Sequence, residues 1–323
     1  MQANLILNED SYPEMMKTMA EPYLKERARE YFWEREKGKP LHCISYRAEK
    51  PVGVVLISHG FTESAEKYKE ICYYFVKNHY HVYLPEHCGH GKSYRLTEDP
   101  SLVHVDHYER YVEDLLFAAL QAKKEYHTLP LFLYAHSMGG GIGAAAAARK
   151  PEFFSKIVLT SPMIRPLAGM LPWGLVRIIS AGMCLLGKER IYASGHPFDG
   201  KETFEKSCSL SRARFSYYQA KRNSQRELQT CAASFGWLRE AVRLNTYLQK
   251  EAVKRIQSPV LLFQARQDTV VSGKEQVRFI RALKSRGISA GLISVNHAKH
   301  EIFNSEPSVL EKYWAQVFEF LRV

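Results

Sequence analysis

The chain is short of the features that would tie it to an oxidising compartment, a metal or a nucleic acid. Its six cysteines (Cys43, Cys72, Cys88, Cys184, Cys208 and Cys231) show no C-x-x-C spacing. That disfavours a zinc ribbon or dithiol motif and reads as reduced thiols in the cytoplasm. Residues 1–10 have no basic n-region, and their apolar run is only Leu5 to Leu7, so no cleaved secretory signal is expected. Internal repeats and low-complexity tracts are missing. Acidic residues are outnumbered, 34 against 45 Lys and Arg, for a net charge of +11. No nucleic-acid recognition motif accompanies that charge, so nucleic acid is not an expected partner. An H-x-E spacing occurs at His107-Tyr108-Glu109 without a C-x-x-C. It reads as chance spacing at a helix start, and neither a metal nor an organic cofactor is expected.

What remains is the composition of a globular protein, with 46% hydrophobic and 24% charged residues in 323. The length suits one large α/β domain with an insertion, or two small domains. Strand-like runs occur at 41–46, 52–58, 81–85, 131–134, 156–160, 260–265 and 289–295. Helical patterns at 65–77, 108–125, 139–149, 273–286 and 308–320 separate most of them. Such alternation predicts a mostly parallel sheet with helices on both faces. Residues 1–28 read as an N-terminal helical extension, and 29–162 with 258–323 as the core. The alternation breaks over 163–257, which reads as a helical cap inserted above the carboxyl ends of the strands, where α/β sheets place ligands.

One serine stands in an informative setting. The apolar run Leu131 to Tyr134 leads into Ala135-His136-Ser137-Met138-Gly139, followed by Gly140, Gly141, Ile142, Gly143 and five alanines. Strand, sharp turn and small-residue helix make a nucleophile elbow. The tight turn needs small neighbours. Gly139 supplies one, and Ala135 stands where glycine is usual. The Met138 N–H would open the helix, where unpaired N–H groups suit a developing oxyanion.

A serine hydroxyl needs a base, and the base needs a group to hold it. In this architecture the chain order is serine, acid, histidine. Asp268 follows the strand-like run 260–265 and is the expected acid, against a loop-capping reading beside Ser272-Gly273. His297 and His300 both follow the last strand. His300, placed just before Ile302-Phe303, is preferred. The loop after 52–58 would give the second oxyanion donor, the Phe61 N–H, with Gly60 allowing close approach. His59 reads as an orienting residue that does no proton chemistry.

With these residues in view, the chain resembles the α/β-hydrolase superfamily. Within it, the likeness is to the monoacylglycerol lipase and lysophospholipase group, also called the serine aminopeptidase family. The likeness spans about residue 30 to the carboxyl terminus. His59-Gly60-Phe61-Thr62-Glu63-Ser64 with Tyr68 resembles the oxyanion loop. The stretch from Pro85 to Ser93 resembles a D-x-x-G-H-G-x-S loop, with Glu86 replacing aspartate and Cys88 replacing arginine. His136 to Gly140, Asp268 with Val270-Val271, and Lys299 to Ile302 match the elbow, acid and histidine segments. The resemblance implies an eight-stranded, mostly parallel sheet flanked by helices, and ester hydrolysis through an acyl-enzyme. More loosely, 196–199 and 209–215 resemble the cap of bacterial lysophospholipases attached to the inner membrane.

The substrate expectation is a single-chain lipid, a lysophospholipid or a monoacylglycerol. Alternatives are a small ester or thioester, an aminopeptidase substrate, or a lipid acyl acceptor that would make the protein a transacylase. Residues 167–187 carry one charge, Arg177, in 21 positions. A membrane span fits by length, but Gly169, Pro172 and Gly174 argue against it. The stretch reads as a cap helix that lines an acyl-chain site, dips into a membrane interface, or simply packs on the core. From 188 to 255 there are 14 Lys and Arg against 7 Asp and Glu. That charge would suit peripheral contact with an anionic membrane surface, and it disfavours binding a substrate ammonium.

Overall fold

The computed structural model describes residues 5–169 and 171–322. Eight strands form one sheet: β1 (Ala28–Glu36), β2 (Lys39–Tyr46), β3 (Gly53–Ser58), β4 (Tyr80–Pro85), β5 (Leu131–His136), β6 (Lys156–Thr160), β7 (Val260–Ala265) and β8 (Ala290–Val295). Their order is β1-β2-β4-β3-β5-β6-β7-β8. The β1–β2 and β2–β4 pairs are antiparallel and the others parallel. Seven of these strands are the seven apolar runs, two of them unchanged and five with an end moved by one or two residues. The exception is β1, which carries charge at five of its nine positions. It is an edge strand, so only one of its sides needs a hydrogen-bonding neighbour, and the apolar run that marks a buried strand is missing.

The middle strands β3, β4 and β5 are buried along their whole length. Their side chains alternate between two cores. Val54, Leu56, Leu131 and Leu133 face one layer, and Val55, Ile57, Phe132 and Tyr134 face the other. The first layer is closed by α2 (Tyr108–Glu125), α3 (Ser137–Arg149) and α7 (Gly273–Lys284). The second is closed by α1 (Lys69–Lys77) and α8 (Pro307–Leu321). The amino-terminal segment is helical over residues 12–25, with a π turn at Met16–Ala20. Residues 1–4 of the expected extension lie outside the described residues.

Between β6 and β7 the chain leaves the sheet and forms α4 (Trp173–Leu185), α5 (Arg212–Ser224) and α6 (Phe235–Tyr247). Of these, α6 buries Trp237, Ala241 and Leu244 in the same core as α3. The helix α4 is turned the other way. It buries Val176 and Ser180 but exposes Leu175, Ile178, Ile179 and Leu185. Among the described residues, no helix is long and apolar enough to cross a membrane.

Candidate active site

Strand β5 ends at His136, and Ser137 turns the chain into α3 with φ at +51°. That left-handed conformation is costly for a side chain bearing Cβ, and it lifts the hydroxyl above the sheet. The tight approach of α3 explains Gly139: a Cβ there would lie 2.1 Å from the Ser58 carbonyl oxygen. At Gly143 a Cβ would lie 3.1 Å from the Ala135 methyl. A glycine nearly two turns into the helix therefore makes room for the alanine that replaces the usual elbow glycine.

Three distant segments meet at this hydroxyl. The Ser137 Oγ lies 2.7 Å from His300 Nε2, and His300 Nδ1 lies 2.8 Å from Asp268 Oδ2. The other carboxylate oxygen of Asp268 accepts the N–H groups of Val270 (2.8 Å) and Val271 (3.0 Å). Burial works to raise the Asp268 pKa. The hydrogen bond and charge of His300, with the two amides, outweigh it and hold the carboxyl below its ordinary value. The arrangement favours an imidazole with a proton on Nδ1 and a free Nε2 lone pair aimed at the serine proton. His297 takes no part: its Cα sits in a left-handed turn at the strand exit, and its side chain is exposed.

The loop after β3 lies beside the serine. Phe61 and Ser137 border one cavity, and Met138 is the second residue of α3, where the first-turn N–H groups have no intrahelical partner. His59 is fully buried and held at both ring nitrogens, with Nδ1 donating to Gly60 O (2.8 Å) and Nε2 accepting from the His87 N–H (2.9 Å). Burial pushes its pKa down. A second histidine, His90, accepts the Thr62 N–H at 3.1 Å. Beneath them Glu86 accepts the N–H groups of Ala65 and Lys92 and pairs with His42, each at 2.7 Å. A Cβ at Gly91 would lie 2.0 Å from Glu86 Oε1, so the longer acid occupies the space a side chain at 91 would need.

Four contributors carry roles that the sequence does not assign: Glu63, Lys67, His136 and Glu301. Glu63 Oε2 accepts from the Gly60 N–H and the Tyr68 hydroxyl, both at 2.6 Å. Lys67 Nζ sits 3.0 Å from Glu63 Oε1 and also pairs with Glu301, the neighbour of His300. The His136 ring lies 4.9 Å from that of His300, and burial pushes its pKa down to about 4. Glu63, His136 and Glu301 stood inside the quoted motifs. Their function is a tertiary contact, which adjacency in sequence does not reveal.

Ser137, His300 and Phe61 open onto a cavity of about 600 Å³ roofed by residues 196–222. Its wall mixes Phe198, Phe215 and Tyr218 with Lys201, Lys206 and Asp199. No residue of α4 lines it, and the apolar face of that helix points outward, which weighs against the first of the three readings of this stretch, the lining of an acyl-chain site. The H-x-E pair stands at the start of α2, with His107 directly before its first residue. His107 and Glu109 converge with Glu240 to within 4.8 Å. However, Arg239 and Arg243 already pair with Glu240, both at 2.9 Å, so the cluster's charge is neutralised from within the chain.

The strand order and the serine turn between β5 and α3 define an α/β-hydrolase fold. The chain matches the family described as "Serine aminopeptidase, S33" over residues 49–307, and it belongs to that family. A lysophospholipase L2 of Escherichia coli K12 is 26% identical over 283 residues, covering 81% of this chain and 78% of its own length. A monoglyceride lipase of Rattus norvegicus is 34% identical over 128 residues, 39% of this chain and 41% of its own. The chain thus spans about two fifths of the length of the monoglyceride lipases it matches. A monoglyceride lipase structure from Saccharomyces cerevisiae shares the fold, with a TM-score of 0.72 at 20% identity over 90% of this chain and 93% of that one.

Proposed function

We propose that this protein is a serine hydrolase that cleaves carboxylic esters of single-chain lipids, lysophospholipids or monoacylglycerols, through an acyl-enzyme. The observation that carries the reading is the unbroken Ser137–His300–Asp268 hydrogen-bond chain at the floor of a cavity. Ser137 Oγ attacks the ester carbonyl as His300 Nε2 takes its proton, and Asp268 steadies the imidazolium. The Phe61 and Met138 N–H groups receive the oxyanion. The alcohol leaves with the proton from His300, and water repeats the sequence on the acyl-enzyme. These steps draw on side chains and backbone amides of this chain alone. The names of the two relatives support the lipid class.

The exposed apolar face of α4 supports peripheral contact with a membrane, and the basic stretch 188–255 favours an anionic one. Six free cysteines fit a reducing compartment. A second reading, a small-ester or thioester hydrolase, is favoured by a cavity wall that mixes charged with aromatic side chains and that α4 does not border. An aminopeptidase fits less well, because three acids of the wall, Glu63, Glu202 and Glu301, already pair with Lys67 or Arg222, and Asp199 stands beside Lys201. With a lipid alcohol in place of water the same acyl-enzyme would make a transacylase.

Product analysis with defined lysophospholipids and monoacylglycerols of graded chain length tests the reading. Fatty acid is expected from the wild type, rising with each methylene until the site is full. Ser137→Ala should lower turnover by roughly 10⁴-fold or more while keeping the fold. Full turnover in that variant removes Ser137 from its role, and a preference for acetyl or butyryl esters selects the second reading.

A further inference from the structure

The oxyanion loop and the histidine segment come from opposite ends of the chain, yet one buried ion bridge joins them. Glu63 sits in the loop after β3, Lys67 in the 3₁₀ turn Ala65–Tyr68, and Glu301 directly after His300. Their side chains are 4%, 12% and 14% exposed. Glu63 Oε2 holds the Gly60 N–H, the amide next to that of Phe61. A Cβ on Gly60 would fall 2.6 Å from the same oxygen, so loop and carboxylate fit only one way. Lys67 connects the far oxygen of Glu63 to Glu301, whose other oxygen accepts the Asn304 amide at 2.7 Å.

This placement raises an electrostatic question. A carboxylate so close to the oxyanion site should oppose the charge that develops there, and burial leaves little water to screen it. Lys67 lies on the same cavity wall as Ser137 and offsets it. Removing the lysine would leave two carboxylates, the buried Glu63 and the partly buried Glu301, facing one another across its place.

We propose that the Glu63–Lys67–Glu301 bridge is a positioning device that sets the Phe61 N–H and the His300 imidazole against each other and cancels the field of Glu63 at the oxyanion. The proposal rests on the acyl-enzyme reading of Ser137. The three residues are positioning residues, since none touches the reacting atoms. Their removal should therefore lower kcat and leave KM nearly unchanged, because the oxyanion charge is absent from bound ester.

The test uses the full chain and a soluble p-nitrophenyl ester, with labelling by a fluorophosphonate as a second readout. Lys67→Met should lower kcat by about 100-fold, the scale of losing one oxyanion donor, and slow labelling to match, with KM within threefold. The double variant Glu63→Gln/Lys67→Met has one negative charge in the bridge, as the wild type does. It should regain at least a tenth of wild-type kcat. A role in stability alone predicts a double variant no better than the single one, and that result overturns the proposal, as does wild-type kcat in Lys67→Met. If Lys67→Met does not fold, the double variant decides: kcat below about a hundredth of wild type overturns the proposal. Ser137→Ala run alongside separates the two readings. If it stays active the serine mechanism falls, and if it is dead while Lys67→Met is unaffected only the bridge falls.

Discussion

The acid of the site shows how much rests on one side chain. Asp268 spends one oxygen on His300 and the other on two backbone amides. Asp268→Asn preserves the shape but offers an amide that can donate to Nδ1 and impose the wrong tautomer. A loss of about 10⁴-fold in kcat is expected, with little change in KM. The same carboxyl links stability to pH. Its folded pKa lies below the ordinary 3.8, so the unfolded chain binds the proton more readily. Its contribution is present above the unfolded pKa and fades as pH falls through the folded one. Denaturant titrations should show wild type more stable than Asp268→Asn at pH 7, with the gap closing below about pH 4. A gap that is constant or widens on acidification excludes this linkage. Ser137 and Asp268 could be read from sequence because each follows a strand end, whereas His297 lies closer to its strand end than His300, and the likeness of Lys299 to Ile302 to the family's histidine segment weighs in the choice of His300. Glu63 and Lys67 could not be read so, because nothing local shows that a loop glutamate reaches back to its own glycine.

At the scale of elements, legibility followed burial. The strands β3, β5 and β7 announce themselves as apolar runs because helices cover both their faces. The edge strand β1 does not, since its charges work as surface partners: Arg35 Nε donates to Asp114 of α2 at 2.7 Å. Helix α4 was visible as an apolar stretch, but its orientation was not. A helix that is hydrophobic nearly all round gives no stripe to orient it, and here the structure buries Ser180 and leaves Ile178 68% and Leu185 88% exposed. That orientation predicts a separation of function. Ile178→Ser/Leu185→Ser should lower binding to vesicles containing anionic phospholipid by at least about tenfold, given about 1.5–3 kcal/mol per fully buried aliphatic side chain. Turnover of a soluble ester should stay within twofold, because neither residue borders the cavity. Unchanged vesicle partitioning, measured by sedimentation, would remove α4 from the membrane contact.

At the scale of the whole molecule, amino-terminal segment, core and cap converge on Arg214. Its guanidinium grips Glu70 of α1 through two bonds (2.9 and 2.6 Å), Glu9 at 2.9 Å and the Leu7 carbonyl at 3.0 Å. Glu9 also accepts the Ala213 N–H and the Ser211 hydroxyl at the start of α5, where a carboxylate complements the helix dipole. Tyr12 packs edge-on against Tyr217 of the same helix, with ring centroids 5.7 Å apart. The cavity roof on α5 is therefore bolted to the core by a segment more than 200 residues away in sequence, while among the described residues α4 shows no ion cluster of this kind. Arg214 is 2% exposed, so its loss leaves the Glu70 carboxylate buried without its cation. Arg214→Met should cost about 3–5 kcal/mol in urea unfolding. Amide exchange should quicken in α5 and residues 5–25 before it does in β3 or β5. Arg214→Met/Glu70→Gln removes the orphaned charge and should recover a large part of the loss, because most of the penalty lies in the stranded carboxylate rather than in the missing bonds. A single variant within about 1 kcal/mol of wild type, or a double variant less stable than the single, would show that packing and not this ion cluster holds the three parts together.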